Sequence, residues 1–188
     1  MNAITPAKAG SRKQTLIACA AIVIVSTLML TYEIDEPFWG LQDFNCVIQS
    51  IAARNFLKYG LIATRFMPAT NTGDVRNGKF DLYVHHPPLI AYPLAAFYCL
   101  FGETEWVGRL FFVLCAIGSA LLVFLIGKMY LRQLDALLCA LVFSLLPCIG
   151  YFGRMINYES PGLLFALFAF WSYCRFLKSR RKVALALL

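Results

Sequence analysis

Residues 15–32 read TLIACAAIVIVSTLMLTY, an apolar run long enough to cross a bilayer. A hydrocarbon core of roughly 30 Å requires about 20 apolar residues in a helix. Lys8, Arg12 and Lys13 precede the run, as basic residues precede a signal peptide, but the chain continues LTYEIDEP without a small-residue cleavage site. The run therefore predicts an uncleaved first transmembrane helix.

Three further long apolar runs follow, at residues 107–127, 136–152 and 162–176, and residues 183–188 open another. Hydrophobic residues make up 60% of the 188 and charged residues 14%, whereas about a quarter of a soluble protein is charged. The sequence predicts an all-α integral membrane protein with about four complete transmembrane helices and the start of a fifth at its C-terminus.

The apolar run at residues 89–100, LIAYPLAAFYCL, decides the topology. As a helix it would reach only about 18 Å, and Pro93 interrupts it. If this run is interfacial, Lys128, Arg132 and the basic residues between 175 and 182 share one side with the basic N-terminus, as the positive-inside rule requires. We therefore expect a multi-pass membrane protein with a cytoplasmic N-terminus. Topology then explains the net charge of +7 without a nucleic-acid partner.

Two outer loops, at about 33–106 and 153–161, hold most of the polar residues and are where function is expected. The first contains a helical pattern near residues 41–58 that is typical of an amphipathic interfacial helix, with Asp43 and Arg54 on its polar side. Interfacial helices are expected in this loop. Ionisable groups that border the bilayer on one face are costly unless they serve a site.

The string YVHHPPL at residues 83–89 is the most specific in the chain. Its prolines impose an extended conformation on the residue before them, so His86 is held in a stiff context that suits a ligand contact. Two alternatives stay open. The prolines could merely start a helix with the histidines at the headgroup level, or the histidines and Asp81 could bind a metal, although two histidine ligands do not complete a catalytic zinc site.

The second outer loop reads GRMINYESP at residues 153–161. Glu159 stands just before a predicted membrane helix that starts with Ser160 and Pro161, and the helix dipole alone would favour a carboxylate there. Together with Asp43, however, Glu159 places a second acid at the same predicted membrane face. Arg154 is expected close by.

These features together resemble the polyprenyl-phosphate-sugar-dependent membrane glycosyltransferases of the GT-C class, in particular the bacterial relatives of protein mannosyltransferase and aminoarabinose transferase. The motifs that carry the resemblance are HHPPL at residues 85–89, FGETEWVGRLF at 101–111 and RMINYE at 154–159. Family members are much longer. The resemblance thus implies that residues 1–188 form a single incomplete transmembrane domain, the N-terminal portion of such an enzyme.

The resemblance also implies roles for individual residues. Asp43 looks like the family's acid that acts as general base or orients the acceptor, with Gln42-Asp43 in place of the usual acidic pair; Asp35 and Glu36 are alternatives. His86 takes the place of a lysine that contacts the donor phosphate, and Glu159 looks like the second-loop acid.

The chemistry of such a transfer requires a base for the acceptor and a cation for the departing lipid phosphate. We expect an inverting enzyme in which Asp43 takes the acceptor proton and His86, assisted by Arg154 or Arg54, stabilises the phosphate. Glu159 would position the base or the acceptor, and His85 and Asn157 complete the predicted substrate-binding residues. The expected partners are membrane lipid, a polyprenyl-phosphate sugar donor and a glycan, lipid or protein acceptor. No cofactor is predicted firmly, and a divalent metal stays open.

A non-catalytic multi-pass scaffold and a transporter fragment are the alternative functions. A transporter would carry ionisable residues within its spans, near the bilayer midplane. Here the predicted spans are almost free of charge, which disfavours transport. A scaffold is harder to separate from the enzyme by sequence.

Overall fold

A computed structural model describes residues 11–40, 43–75 and 78–179. This part of the chain is helical and contains no β-strand beyond an isolated antiparallel bridge between Ala69 and Leu82. The predicted all-α class is confirmed. The helices are α1 Arg12–Leu30, α2 Asp43–Tyr59, α3 Ala91–Phe101, α4 Glu105–Gly127, α5 Gln133–Leu145, α6 Pro147–Phe152 and α7 Glu159–Ser179.

Three helices of the described part are long and apolar enough to cross a membrane: α1, α4 and Glu159–Lys178 of α7. The run at 136–152, predicted as one span, is instead divided between α5 and α6. Leu146 between them is extended, with φ −62° and ψ 131°. The cause is Pro147, which lacks an N–H and disfavours helical geometry at the residue before it. The predicted fifth helix at 183–188 lies outside the described residues.

The helix α3 covers most of the short apolar run whose length decided the predicted topology. It has 11 residues and is shorter than a membrane span. Pro93 lies in its first turn, where a missing N–H costs no intrahelical hydrogen bond. The helix is therefore too short to span a bilayer by itself, and its interfacial position stays a prediction.

The chain forms two compact units. The membrane unit contains the described residues up to Tyr32, Val113–Gly153, and the described residues from Glu159 onward. The loop unit contains Glu33–Phe112 and Arg154–Tyr158. The two predicted outer loops, distant in sequence, thus combine largely within one unit.

Small side chains hold the membrane unit together. Its buried core contains Ala18 and Ile22 of α1, Ala120 and Phe124 of α4, and Ala136 and Ala140 of α5. Helices in a bilayer associate through close packing of small residues and through interhelical hydrogen bonds. Both are present, because the buried Ser26 hydroxyl donates to the Ser144 hydroxyl across 2.9 Å.

Two contacts bring basic segments to the same end of the membrane unit. Lys128, just after α4, donates a hydrogen bond of 2.7 Å from its ammonium to the Thr15 hydroxyl in the first turn of α1. Lys178, in the last turn of α7, donates to the carbonyl oxygen of Met129. The start of α1, the loop after α4 and the end of α7 therefore adjoin, as predicted for the basic segments. Lys8 and residues 180–182 lie outside the described part.

Candidate functional site

The loop unit is built on the packing of α2 against α3. Cys46, Ala53 and Phe56 form a buried stripe along α2, at the spacing of one helix face. The Phe56 ring stacks on the Tyr92 ring of α3, with centroids 5.4 Å apart. The sequence predicted this helix, and the structure shows that its apolar stripe contacts another helix of the same unit.

Hydrogen bonds from α2 and α3 fasten the irregular segment between them. The buried Asn55 amide donates to the carbonyl oxygens of Ala69, at 2.7 Å, and Asn71, at 3.0 Å. The Tyr92 hydroxyl donates to the Phe66 carbonyl oxygen at 2.7 Å. The segment that leads to the HHPP string is therefore fixed in place by side chains of both helices.

The HHPP string contacts the second outer loop directly. The Tyr158 hydroxyl donates a hydrogen bond of 2.8 Å to the carbonyl oxygen of Pro87. The His86 ring packs edge-on against the rings of Tyr158 and Tyr83, with centroids 5.4 Å and 5.8 Å apart. His86 is exposed, so its ring is oriented by its neighbours while its nitrogens stay near solvent. His85 is also exposed and contacts the Tyr83 ring.

Buried side chains anchor the second outer loop against α2. Ile156 is fully buried and Met155 nearly so. The Ile156 N–H donates to the Cys46 sulfur at 3.4 Å. Burial raises the pKa of the Cys46 thiol to about 12, with a smaller contribution from Asp43, so the thiol stays neutral. A neutral thiol suits its place in the packing between α2 and the loop.

Asp43 is the first residue of α2, and its carboxylate accepts a hydrogen bond from the Gly40 N–H. A carboxylate there also interacts favourably with the helix dipole. Asp43 is only half-buried, so an external group can approach it. Its sequence neighbour Gln42 lies outside the described residues.

Arg109 is a buried cation that sequence reasoning missed. Its guanidinium donates to the Ile34 carbonyl oxygen at 2.7 Å and lies 4.7 Å from the centroid of the Phe38 ring. It interacts electrostatically with Asp43 and with Arg154. The signal in the sequence was an arginine within the apolar start of a predicted span, because such a charge requires partners.

Gln49 is a second residue that sequence reasoning did not single out. It is 5% exposed, and its Oε1 has no hydrogen-bond partner among the described residues. Its side chain donates to the Tyr158 hydroxyl, which opposes the rise in the pKa of Tyr158 caused by burial and by Tyr83. The donor must be Nε2, which leaves Oε1 as the unsatisfied acceptor. The available signal was its helical spacing from Cys46 and Ala53, three residues after the one and four before the other.

Three other predicted residues have been placed in the structure. Arg54 forms an ion pair of 2.9 Å with Glu103 and lies three helical turns, about 16 Å, from Asp43 along α2. Asn157 accepts a hydrogen bond of 2.9 Å from the Tyr158 N–H through its Oδ1. Glu159 is exposed at the start of α7 and lines a cavity of about 170 Å³ in the membrane unit with apolar neighbours such as Leu163. Arg54 and Asp43 are thus too far apart to act on the same atom. The catalytic role of Glu159 stays a prediction.

The alternative that His85, His86 and Asp81 bind a metal ion is not supported by the positions of possible ligands. The described residues contain no cluster of three or more His, Cys, Asp or Glu side chains with the spacing to hold a metal ion. Asp81, the additional ligand considered with the histidines, accepts a 2.8 Å hydrogen bond from the Asn71 amide. Its carboxylate is thus engaged in fastening the segment that leads to the HHPP string.

One known protein family matches this chain. The family model for dolichyl-phosphate-mannose-protein mannosyltransferase matches residues 85–188, more than half of the chain. No curated protein and no solved structure shows a significant match. With its apolar helices, the match defines a membrane glycosyltransferase of the GT-C type.

The chain belongs to the dolichyl-phosphate-mannose-protein mannosyltransferase family. The predicted resemblance to membrane glycosyltransferases of the GT-C class is thereby confirmed. The matched region contains the predicted residues His85, His86, Arg154, Asn157 and Glu159, whereas Asp43 and Arg54 precede it.

Proposed function

We propose that the protein belongs to the catalytic machinery that moves a sugar from a polyprenyl-phosphate donor to an acceptor at the outer face of a bacterial plasma membrane. The observation that carries this proposal is the contact of the HHPP string with the second outer loop, through Tyr158, Pro87 and His86. Family membership supplies the class of reaction. The loop unit supplies an acid, cations and an unsatisfied polar group on adjoining segments.

The proposed reaction is a single displacement with inversion. An acceptor hydroxyl or amine attacks the anomeric carbon of the sugar, and a new bond from carbon to oxygen or nitrogen forms. The bond between that carbon and the phosphate oxygen breaks, and its electron pair leaves with the polyprenyl phosphate. The acceptor proton passes to the Asp43 carboxylate, which acts as the general base.

The accessibility of Asp43 supports its role as the base. Its carboxylate is oriented by the Gly40 N–H and faces the positive charge of Arg109, yet it stays half-exposed. A general base must come within hydrogen-bond distance of the proton it abstracts, and a fully buried carboxylate would not. Arg109 would hold Asp43 in place without contacting the substrate.

The departing phosphate would be bound by His86 and Arg154. His86 is exposed, and its ring orientation is fixed by two aromatic neighbours, so a donor phosphate can accept a hydrogen bond from it at little cost in side-chain entropy. Arg154 begins the segment that contacts the HHPP string, and an arginine can bind phosphate through two parallel hydrogen bonds. His85 and Asn157 would bind the sugar.

Glu159 would position the acceptor. Arg54 would bind a part of the acceptor that lies away from Asp43. Glu159 is exposed at the first position of α7, immediately after Tyr158. Arg54 lines a cleft of about 140 Å³ in the loop unit with Ser50, Tyr98 and Glu103. We assign this cleft to the acceptor side, because a sugar or amine acceptor would find both hydroxyl and carboxylate groups there.

A transfer assay with an Asp43→Asn variant tests the proposal. Membranes that contain the chain are supplied with radiolabelled mannosyl polyprenyl phosphate, and label outside the donor fraction is measured. Loss of the general base is expected to slow transfer by about a hundred- to ten-thousandfold. Asp74→Asn is the matched control, because Asp74 is exposed and pairs with Lys58 on the surface.

Two results would contradict the proposal. Unchanged transfer by Asp43→Asn would remove Asp43 from the mechanism. A chain that binds the donor but transfers no label, even with cell-envelope acceptors present, would favour the non-catalytic scaffold.

A further inference from the structure

The membrane unit contains a basic cavity that the proposed reaction does not use. Its volume is about 420 Å³, and the residues that line it are Leu125, Lys128, Met129, Trp171, Arg175 and Lys178. Three of these six are cations, and none of the described residues that line the cavity is acidic. We propose that this cavity binds the phosphate of an anionic membrane lipid.

Two of the three cations, Lys128 and Lys178, contact neutral groups, which leaves the charge of these lysines available to an anion. The Lys128 ammonium donates to the Thr15 hydroxyl, and the Lys178 ammonium lies 4.7 Å from the centroid of the Tyr130 ring. The Arg175 guanidinium lies 5.0 Å from the centroid of the Trp171 ring. The hydroxyl and aromatic contacts orient the two lysines without neutralising them, and a bound phosphate would neutralise their charge.

The order of the residues along the helices matches the two ends of a lipid. Trp171, Arg175 and Lys178 follow one another at intervals of four and three residues and so share one face of α7. Leu125, in the last turn of α4, and Trp171 form an apolar wall, while the cations stand nearer the helix ends. An apolar wall followed by cations towards the helix ends can bind an acyl chain together with its headgroup. A free phosphate ion would contact the cations alone.

The position of the cavity also favours a lipid. It lies at the end of the membrane unit where α4 and α7 finish, and where the Lys128 and Lys178 contacts join α1, α4 and α7. Aromatic residues with lysine and arginine are typical of the level of the lipid headgroups. Basic pockets between membrane helices are known to bind anionic headgroups.

Native mass spectrometry of the purified chain in detergent tests the proposal. Phosphatidylglycerol and phosphatidylcholine with the same acyl chains are titrated separately, and inorganic phosphate is the third ligand. We expect phosphatidylglycerol to bind at least tenfold more tightly than phosphatidylcholine. Each cation removed, as in Lys128→Gln, Arg175→Gln or Lys178→Gln, should weaken phosphatidylglycerol binding roughly fivefold.

Two variants control for charge and folding. Arg132→Gln removes a cation that pairs with Asp135 and does not line the cavity, so phosphatidylglycerol binding should be unchanged. Lys178→Arg keeps the charge and should keep binding, which excludes simple misfolding as the cause of a loss.

Three outcomes would overturn the proposal. Equal binding of the two lipids would remove the role of negative charge. An equal loss in Arg132→Gln would show a general charge effect and no site. Inorganic phosphate that binds alone and displaces phosphatidylglycerol at equal concentration would assign the cavity to a free anion.

Discussion

The Tyr158 hydroxyl donates a hydrogen bond of 2.8 Å to the carbonyl oxygen of Pro87, and so joins two segments 71 residues apart. Tyr158→Phe removes this bond and the one that Gln49 donates to the same hydroxyl, but keeps the ring beside His86. A net loss of about 0.5–1.5 kcal/mol in the free energy of unfolding is typical for each hydrogen bond. Thermal denaturation should show a lower midpoint for this variant, and a larger decrease for Tyr158→Ala, which also removes the ring contact. Tyr173→Phe, at an exposed position of α7, is the control, and equal effects of Tyr158→Phe and Tyr173→Phe would contradict the structural role of this bond.

Two substitutions of His86 separate the packing of its ring from its proposed binding of the donor phosphate. His86→Phe keeps an aromatic ring against Tyr83 and Tyr158 but removes both nitrogens, so donor binding should fall at least tenfold with little change in the melting midpoint. His86→Lys supplies a cation for the phosphate and should retain binding. Crosslinking of a photoreactive polyprenyl-phosphate sugar measures both. Full binding by His86→Phe would assign His86 to packing alone.

Gln49 is expected to serve function at the expense of stability. A buried acceptor without a partner costs about 1–3 kcal/mol, so Gln49→Leu should leave the protein as stable or more stable, even though the bond to Tyr158 is lost. Donor binding should nevertheless weaken by up to about tenfold, because Gln49 no longer holds Tyr158 against the His86 ring. Thermal denaturation and the crosslinking assay give the two values.

A second unsatisfied polar group supplies the control for Gln49. The Ser172 hydroxyl, in the membrane unit, is buried and has no hydrogen-bond partner among the described residues, so Ser172→Ala should leave donor binding unchanged. Unchanged donor binding by Gln49→Leu would show that its bond to Tyr158 has no role in the site.

The buried Cys46 thiol predicts a pH dependence. Its pKa is raised from about 9 to about 12 in the folded protein, so the folded state holds the thiol proton more tightly than the unfolded state does. The contribution of this group to stability is complete below pH 9 and decreases as the pH rises towards 12. Melting midpoints of the unaltered chain should therefore fall more steeply across this range than those of Cys46→Ala. Parallel curves would contradict the burial of the thiol.

Gly108 marks a close approach of three segments in the loop unit. A Cβ there would lie 2.8 Å from the Tyr98 hydroxyl and 2.9 Å from Cδ1 of Ile156. Gly108→Ala should lower the free energy of unfolding by about 1–3 kcal/mol, because this packing has no spare volume. Gly162→Ala is the control, since no atom lies within 4 Å of its added Cβ and alanine favours a helix. Thermal denaturation compares the two variants. Equal midpoints for Gly108→Ala and Gly162→Ala would contradict the close packing at Gly108.

Local sequence patterns were sufficient for most of the helices. The runs at 15–32, 107–127 and 162–176 appear as α1, α4 and α7, because long apolar runs favour helices whatever their neighbours are. The prediction of one helix over 136–152 was wrong, because Pro147 interrupts the run despite its continuous hydrophobicity. The division at Leu146 follows from the local geometry that Pro147 imposes.

The candidate site was predictable only in part. Asp43, His86 and Asn157 were identified because polar residues stand out in an apolar chain, and the loop unit contains all three. Arg109 and Gln49 were not predicted as site residues. The position of a single charge or amide in the site depends on which residues it contacts in the folded protein, and the sequence does not give those contacts. The neighbours concerned are Asp43 for the arginine and Tyr158 for the glutamine.

The sequence by itself determined the class of this protein, the grouping of its basic segments and the two loops that carry its polar residues. Hydrophobicity and charge act locally along the chain, so they can be read without coordinates. Only the tertiary structure decided that Tyr158 contacts Pro87, that Ile156 closes over Cys46, and that Gln49 is left with an unpaired acceptor. These relationships depend on the packing of segments far apart in sequence, and no local pattern encodes which side chains will meet.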